Sequence, residues 1–179
     1  MSDLLTLGAA QLVREIRAGN VTPLEVVDTH IERIEAVNPA INALVIPLFD
    51  EAREQARSAT ELVRKKKDGL PPLFGLPVTV KDILAMKGVR LTAGSIHYRD
   101  HIADRDAEAV RLVKAAGAII LGKTNCTEMG ASVETDNPVF GLTRNPWDVK
   151  RSAGGSSGGD GALIAAGGSP LGIATDIGG

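Results

Sequence analysis

Residues 151–179 read R-S-A-G-G-S-S-G-G-D-G-A-L-I-A-A-G-G-S-P-L-G-I-A-T-D-I-G-G, and the rest of the chain is best understood from this segment. Ten of these residues are glycine, too many for an ordinary helix or strand, because glycine loses more backbone freedom on ordering than any other residue. Two glycine-rich clusters, 154–159 and 176–179, bracket a small-residue segment, 161–168, that we predict to be a tightly packed helix. We expect two loops that face each other, with hydroxyl groups on the first.

Residues 77–121 have the pattern of a strand, a helix and a second strand. The first strand, 77–80, brings Lys81 to its carboxyl end, a capped helix, 106–116, ends at Gly117, and 118–121 has the pattern of a buried strand. This order predicts a βαβ unit in a mixed or parallel sheet. A lysine after a strand is usually a surface charge, but α/β proteins also place functional groups there.

Helices are predicted before this unit. The first covers residues 6–18, and the second begins with Thr22 as its cap, Pro23 at the first helical position and Glu25 completing a capping box. Apolar residues then recur at helical spacing, and we expect Asn38-Pro39 to end this helix.

The second helix carries His30, which we expect to be partly exposed. A short strand-like run, 41–46, precedes a charged, alanine-rich helix, 50–67. The basic run at its end, 64–67, is better explained as a solvated helix terminus than as a nucleic-acid patch, because cations complement the helix dipole.

The composition favours one soluble, cytoplasmic domain. A net charge of -2 provides no electrostatic reason to expect nucleic acid or a membrane surface as partner. The single cysteine excludes an intrachain disulfide framework and suits a reducing compartment. No stretch has the apolar length of a membrane span, and the first residues lack the pattern of a signal peptide.

Residues 117–124, G-A-I-I-L-G-K-T, match the P-loop pattern by letter. A P-loop follows a strand and precedes a helix. Here a predicted helix precedes the first glycine and an apolar strand occupies the place of the phosphate loop. We therefore reject nucleotide binding, and we expect no cofactor.

Several other side chains are expected to be structural. Cys126 is predicted to be a small buried apolar residue, since a nucleophilic cysteine needs a recognisable base. His97 and His101 lie in a polar loop without metal-ligand partners, so no metal site is expected. Trp147 is interpreted as a packing anchor.

The glycine-rich segment, 154–179, resembles the amidase signature of the Ser-cisSer-Lys hydrolases. G-L-P-V-T-V-K-D, residues 75–82, resembles the lysine motif of the same family, and the 75 positions between Lys81 and Ser156 fit its layout. The resemblance implies an α/β fold with a mixed sheet core covered by helices. Residues 1–179 would be the N-terminal part of a single amidase domain.

The resemblance also implies roles for Lys81 and Ser156. Lys81 would be the catalytic base, kept neutral by burial, and Ser156 would be a relay serine reached through a cis peptide bond. The nucleophilic serine of the family directly follows the D-I-G-G turn. The chain stops at Gly179, so the resemblance implies that it ends just before the nucleophile.

Backbone N–H groups of Ile177, Gly178 and Gly179 would form the oxyanion hole, because glycine pairs let consecutive amides point into one concavity. Asp176 is expected to support this turn through hydrogen bonds or an ion pair rather than act as an acid.

Further polar residues are expected to surround these groups. Ser157 is predicted to hydrogen-bond Lys81 rather than to shuttle protons, and Thr175 to pack or hydrogen-bond locally. Thr124 and Asn125 correspond to a strand end near the substrate cleft of the family.

The function implied is hydrolysis of a carboxamide C–N bond through an acyl-serine intermediate, with a small-molecule amide as substrate. The chain alone would be inactive for lack of the nucleophile, and it would need the C-terminal part of its domain or a second copy as partner. Two alternatives stay open. One is the A subunit of a glutamyl-tRNA(Gln) amidotransferase, which shares the signature, and the other is a non-catalytic truncated fragment.

Overall fold

The computed structural model describes residues 2–65 and 69–178. After two N-terminal helices, strands and helices alternate along the described chain in an α/β arrangement, which confirms the predicted fold class. The elements are α1 (Ala9–Ala18), α2 (Pro23–Ile41), β1 (Leu44–Pro47), α3 (Phe49–Lys65), β2 (Pro77–Lys81), α4 (Glu108–Ala115), β3 (Ile119–Thr124), α5 (Gly158–Ala165) and β4 (Gly172–Ile173). Short 3-10 turns lie at Ser2–Thr6, Ile96–Tyr98 and Glu128–Gly130.

The four strands form a mixed sheet in the order β1-β3-β2-β4. β2 runs parallel to β3 and β4, whereas β1 is antiparallel to β3. The parallel pair β2 and β3, joined through α4, confirms the predicted βαβ unit. Every residue of these two strands is buried, as expected for parallel strands covered on both faces.

The apolar core joins the helices to the sheet. α2, α3 and α5 contact the strands, and α3 also packs against α2. α3 buries Ala52, Ala56 and Ala59 along one face, so the helix can approach its neighbours closely while its charged face stays in solvent. The alanine spacing in the sequence thus decides which side of this helix is covered.

The start of α2 agrees with the prediction and its end does not. Thr22 Oγ1 accepts a hydrogen bond from Glu25 N, and Glu25 Oε2 accepts one from Thr22 N, which completes the capping box. The helix continues through Pro39 and ends at Ile41, with Asn42 as a left-handed C-cap. Pro39 lies close to this end, so its missing N–H removes one helical bond there, while the Asn38 side chain accepts from the backbone N–H groups of residues 43 and 44.

His30 is buried, contrary to the prediction. The residue is only 2% exposed, and Nδ1 lies 2.8 Å from the carbonyl oxygen of Val26. Burial lowers the pKa of His30, although the bond to Val26 opposes this effect. The prediction was wrong because the exposure of His30 depends on the other elements that pack against α2, which include α3 and α5.

Other element boundaries also differ. The first predicted helix begins at Ala9, since residues 2–6 form a 3-10 turn. α4 has Ala107 as its N-cap without a side-chain cap; Asp106 instead accepts hydrogen bonds from Lys87 N and Lys114 Nζ. The predicted end of α3 includes residues 66 and 67, which lie outside the described residues.

The glycine-rich region and Trp147 bring two further differences. We predicted a helix over 161–168, but α5 begins at Gly158, directly after its N-cap Ser157, and ends at Ala165. Trp147 is 80% exposed, so its interpretation as a packing anchor was wrong. Within 2–65 and 69–178, no helix combines the length and apolar character needed to cross a bilayer.

Candidate active site

Lys81 lies at the end of β2 with its side chain fully buried. Its Nζ lies 2.7 Å from Ser156 Oγ, 3.0 Å from Thr175 Oγ1 and 3.3 Å from the Thr175 carbonyl oxygen. The structure therefore brings together the lysine and the serine that the sequence singled out. It adds a third residue, Thr175, for which only a local role was expected.

The sheet explains why these three residues meet. β4 pairs with β2 through Thr79–Gly172 and Val80–Ile173, so the residues that follow β4 reach the end of β2. Thr175 comes two positions after that strand. Thr175 could have been identified by its position just after β4, the strand that pairs with β2. The sequence did not reveal this pairing.

The backbone around Ser156 has a cis peptide bond on one side and a hydrogen bond to Thr127 on the other. The peptide bond between Gly155 and Ser156 is cis, and the Ser156 carbonyl oxygen accepts a hydrogen bond from Thr127 N at 3.1 Å. A Cβ atom on Gly155 would lie 2.7 Å from Thr127 Cγ2 and 3.1 Å from Glu134 N. The loop before Ser156 therefore has no room for a side chain at residue 155.

Ser157 directs its hydroxyl to the Thr175 carbonyl oxygen at 3.1 Å, not to Lys81 as predicted. Ser157 and Lys81 thus both contact Thr175, one from the start of α5 and the other from the end of β2. Thr175 joins the two glycine-rich loops.

The second loop is held by Asp176, whose Oδ1 accepts a hydrogen bond from Gly178 N at 3.1 Å. This contact agrees with a supporting role for Asp176. It also occupies one of the N–H groups that were assigned to the oxyanion hole. Ile177 is 74% exposed at this turn, and Gly179 lies outside the described residues.

The two loops face each other across a cleft of about 550 Å³, as the sequence suggested. Its lining includes Gly155, Ser156, Ser157, Thr175 and Asp176. Lys81 lies beneath this lining, so Ser156 stands between the buried amine and the cleft.

The surroundings of Lys81 favour its neutral form. Burial lowers the pKa of Lys81 because it disfavours the ammonium ion, while Cys126, Asp160 and Asp176 act in the opposite direction. Burial raises the pKa of the Cys126 thiol to about 12, so the buried thiol is uncharged at neutral pH. The remaining opposing charges are carboxylates.

Asp160 is a buried residue of the site that no motif in the sequence indicated. Its carboxyl accepts hydrogen bonds from Thr79 Oγ1 at 3.1 Å and Thr124 Oγ1 at 2.8 Å. Thr124 is therefore engaged behind the cleft rather than in its lining. Asn125 is also buried, and its amide donates to Gly141 O and Thr143 Oγ1.

Lys123 is the lysine of the segment, 117–124, that matches the P-loop pattern. It lies within β3, fully buried, with Nζ 2.7 Å from Asp82 Oδ1 and 3.0 Å from the Arg90 carbonyl oxygen. Its ammonium group is thus committed to an internal ion pair. The helix-then-strand order predicted for this segment is the one observed, which supports the rejection of nucleotide binding.

Cys126 is fully buried, as predicted. His97 lies in the 3-10 turn Ile96–Tyr98, and the ring of His101 packs edge-on against Tyr98. In the part of the chain that the structure describes, no group of three or more His, Cys, Asp or Glu side chains could hold a metal ion.

Comparison with known proteins relates this geometry to one family. The sequence model described as Amidase matches residues 25–179. Over 99% of its own length, the chain is 44% identical to fatty-acid amide hydrolase 2-A of Danio rerio. It is 40% identical to the A subunit of glutamyl-tRNA(Gln) amidotransferase of Roseiflexus castenholzii over 100% of its length.

A solved fatty acid amide hydrolase superposes with a TM-score of 0.94 at 26% identity, covering 98% of this chain and 31% of that one. The chain spans 35% and 36% of the length of the two relatives named above, respectively.

Proposed function

Because the chain belongs to the amidase family, we propose that it supplies the base and the relay serine of an amide hydrolase that breaks a carboxamide C–N bond. The observation that carries this proposal is the 2.7 Å contact between buried Lys81 Nζ and Ser156 Oγ at the floor of the cleft. A neutral amine at this position can accept a proton that enters through the serine hydroxyl.

The proposed reaction begins with a nucleophilic serine in the position after Gly179, which this sequence does not include. As its oxygen attacks the amide carbonyl, its proton passes to Ser156 Oγ while the Ser156 proton passes to Lys81 Nζ. Return of a proton along the same path to the leaving nitrogen releases the amine and leaves an acyl-serine. Water then attacks this ester while Lys81 accepts a proton of the water through Ser156, and the same path returns that proton to the nucleophilic serine oxygen as its bond to the acyl carbon breaks.

The negative charge that develops on the carbonyl oxygen needs donors beside the nucleophile. We assign this role to the backbone N–H groups of Ile177, Gly178 and Gly179, with Asp176 and Ser157 as supporting residues. The bond between Gly178 N and Asp176 Oδ1 implies that the oxyanion would have to displace or share this donor. One such donor typically contributes about 3 kcal/mol to transition-state stabilisation.

A serine-directed fluorophosphonate tests the proposal. The protein as isolated from its natural source is treated with the reagent and digested, and the labelled peptide is sequenced by mass spectrometry. We expect the label on a serine that directly follows Gly179. Labelling of Ser156 or Ser157 instead would overturn the assignment of the relay.

The 179-residue chain is the matched control for this experiment. It contains the proposed base and relay but not the proposed nucleophile, so we expect neither fluorophosphonate labelling nor burst-phase release of amine from an amide substrate. A burst from the purified chain would contradict its proposed inactivity.

A second candidate is the glutamine-hydrolysing A subunit of a tRNA-dependent amidotransferase. It is favoured by the 40% identity to the Roseiflexus castenholzii protein over the whole of this chain. Ammonia release from glutamine, together with co-purification of further subunits and tRNA, would support this candidate. Hydrolysis of a hydrophobic amide without partners would support the amide hydrolase, which is the activity that the name of the 44% identical relative states.

A further inference from the structure

We propose that Asp160 is a positioning residue for the Lys81–Ser156 pair, and that its carboxylate balances the positive charge of Lys81 after proton uptake. This inference rests on the proposed function in one respect, since it takes Lys81 as the base. It adds a residue that neither the motif comparison nor the composition of the cleft lining identifies.

The contacts of Asp160 connect it to both strands beside Lys81. Thr79, which donates to Oδ1, lies two positions before Lys81 on β2, and alternate residues of a strand point to the same face. Thr124, which donates to Oδ2, is the register partner of Lys81 on β3. The two hydroxyl groups that hold Asp160 therefore belong to positions that flank the lysine.

The position of Asp160 in α5 connects it to Ser156 as well. α5 begins at Gly158, two residues after Ser156, so Asp160 lies in its first turn. Its carboxylate thus fastens the start of this helix to β2 and β3. Loss of that attachment would let Ser156 move relative to Lys81, whose contact spans 75 positions of sequence.

The space around Asp160 is closed on the third side by β4. A Cβ atom on Gly172 would lie 2.6 Å from Asp160 Oδ1, so this glycine lets the strand approach the carboxylate. Asp160 is 3% exposed. A buried carboxylate without solvent needs hydrogen bonds and a compensating charge, and Lys81 supplies that charge once it has taken up a proton.

The charges around Lys81 support this role. Asp160 and Asp176 are the carboxylates that interact with Lys81, and Cys126 stays a neutral thiol. Because both threonine hydroxyls donate to Asp160, its bonds stabilise the carboxylate form. When Lys81 accepts a proton from Ser156, the negative charge of Asp160 stabilises the ammonium ion, and no proton moves to Asp160.

The test measures the titration of Lys81 by NMR on the 179-residue chain, with lysine labelled at Cε and Nζ and K81R used to assign the signal. In D160N, which keeps a similar shape but removes the charge, we expect Lys81 to titrate at a lower pH than in the unsubstituted chain. D148N removes a carboxylate that pairs with Arg151 at the surface, and we expect no change in the Lys81 titration. An unchanged Lys81 titration in D160N would overturn the proposal.

A second measurement needs no substitution and decides the question if D160N does not fold. Burial raises the pKa of Asp160 to about 6, although the hydrogen bonds from Thr124 and Thr79 lower it. We therefore expect the Lys81 Cε signal to show a small inflection at the pH where the Asp160 Cγ signal titrates. Absence of that inflection would overturn the proposed electrostatic coupling.

These readouts do not depend on turnover. A shifted Lys81 titration in D160N together with fluorophosphonate labelling at an unexpected serine would support the Asp160–Lys81 coupling and refute the amidase mechanism. Labelling at the expected serine with an unshifted Lys81 titration would support the mechanism and refute the role of Asp160.

Discussion

Replacement of Lys123 by methionine would remove one partner of an ion pair from the core of the sheet. The two side chains are 0% and 1% exposed, and Lys123 Nζ lies 2.7 Å from Asp82 Oδ1. The substitution keeps much of the side-chain volume but leaves Asp82 without its cation. Burial lowers the pKa of Lys123, whereas the charge of Asp82 and their hydrogen bond raise it. The charged form of Lys123 in the core therefore depends on Asp82.

The expected loss of stability follows from this burial. Removing one partner of a buried ion pair typically costs about 3–5 kcal/mol, because an uncompensated charge remains in the interior. An exposed pair such as Arg111–Glu108, whose side chains are 58% and 68% exposed, contributes far less, because solvent screens its charges. Since a domain is stable by about 5–15 kcal/mol, K123M would lose a large share of the total.

The effect should extend beyond β3 toward the candidate site. Asp82 also accepts a hydrogen bond from Thr92 N at 3.2 Å, and its backbone carbonyl accepts from Ala93 N at 2.9 Å. Ala93 in turn accepts from Met129 N at 2.7 Å. Residue 129 lies two positions after Thr127, whose N–H holds the Ser156 carbonyl, so loosening of Asp82 should reach this serine.

Urea unfolding followed by far-UV circular dichroism measures the predicted loss by linear extrapolation. R111M serves as the surface control, and we expect it to cost much less stability than K123M because solvent screens the ion pair that it removes. The double variant D82N/K123M removes both charges, and we expect it to be more stable than K123M alone. The reasoning would be refuted if K123M cost no more than R111M.

Three further predictions concern single residues. K81M should lower fluorophosphonate labelling of the natural protein by about 100-fold or more, because the base is lost; a labelling rate equal to that of the unsubstituted protein would exclude Lys81 as base. G155A should destabilise the chain by about 1–3 kcal/mol in urea unfolding, since its Cβ would lie 2.7 Å from Thr127 Cγ2. G161A, at a helical position where an added Cβ would have nothing within 4 Å, should instead stabilise it by about 0.5–1 kcal/mol, and equal effects of the two variants would contradict this contrast. The folded-state pKa of His30 is lowered, so the unfolded chain binds more protons and stability should fall as the pH decreases from about 6.5 toward the folded-state pKa; urea unfolding should show this loss in the unsubstituted chain and a smaller one in H30Q.

Local patterns predicted the features that depend on neighbouring residues. The capping box at Thr22 and Glu25 needs only residues three positions apart, and it is present as expected. The βαβ unit follows from the alternation of apolar runs and turn residues, and its parallel pairing was also anticipated. The family resemblance drew attention to Lys81 and Ser156, which the structure places in contact, while their catalytic roles stay predictions.

The features that were missed depend on segments far apart in sequence. His30 is buried because α2 is covered by packing that no short window encodes, and Trp147 is exposed because nothing packs over its loop position among the described residues. The role of Thr175 depends on the pairing of β4 with β2, and that of Asp160 on threonines that lie 81 and 36 positions away. Backbone preferences and short-range hydrogen bonds act between neighbours and can be read from the chain. Burial, charge compensation and side-chain contacts across the sheet arise only once the strands are paired, because only then do these distant groups share one enclosed space.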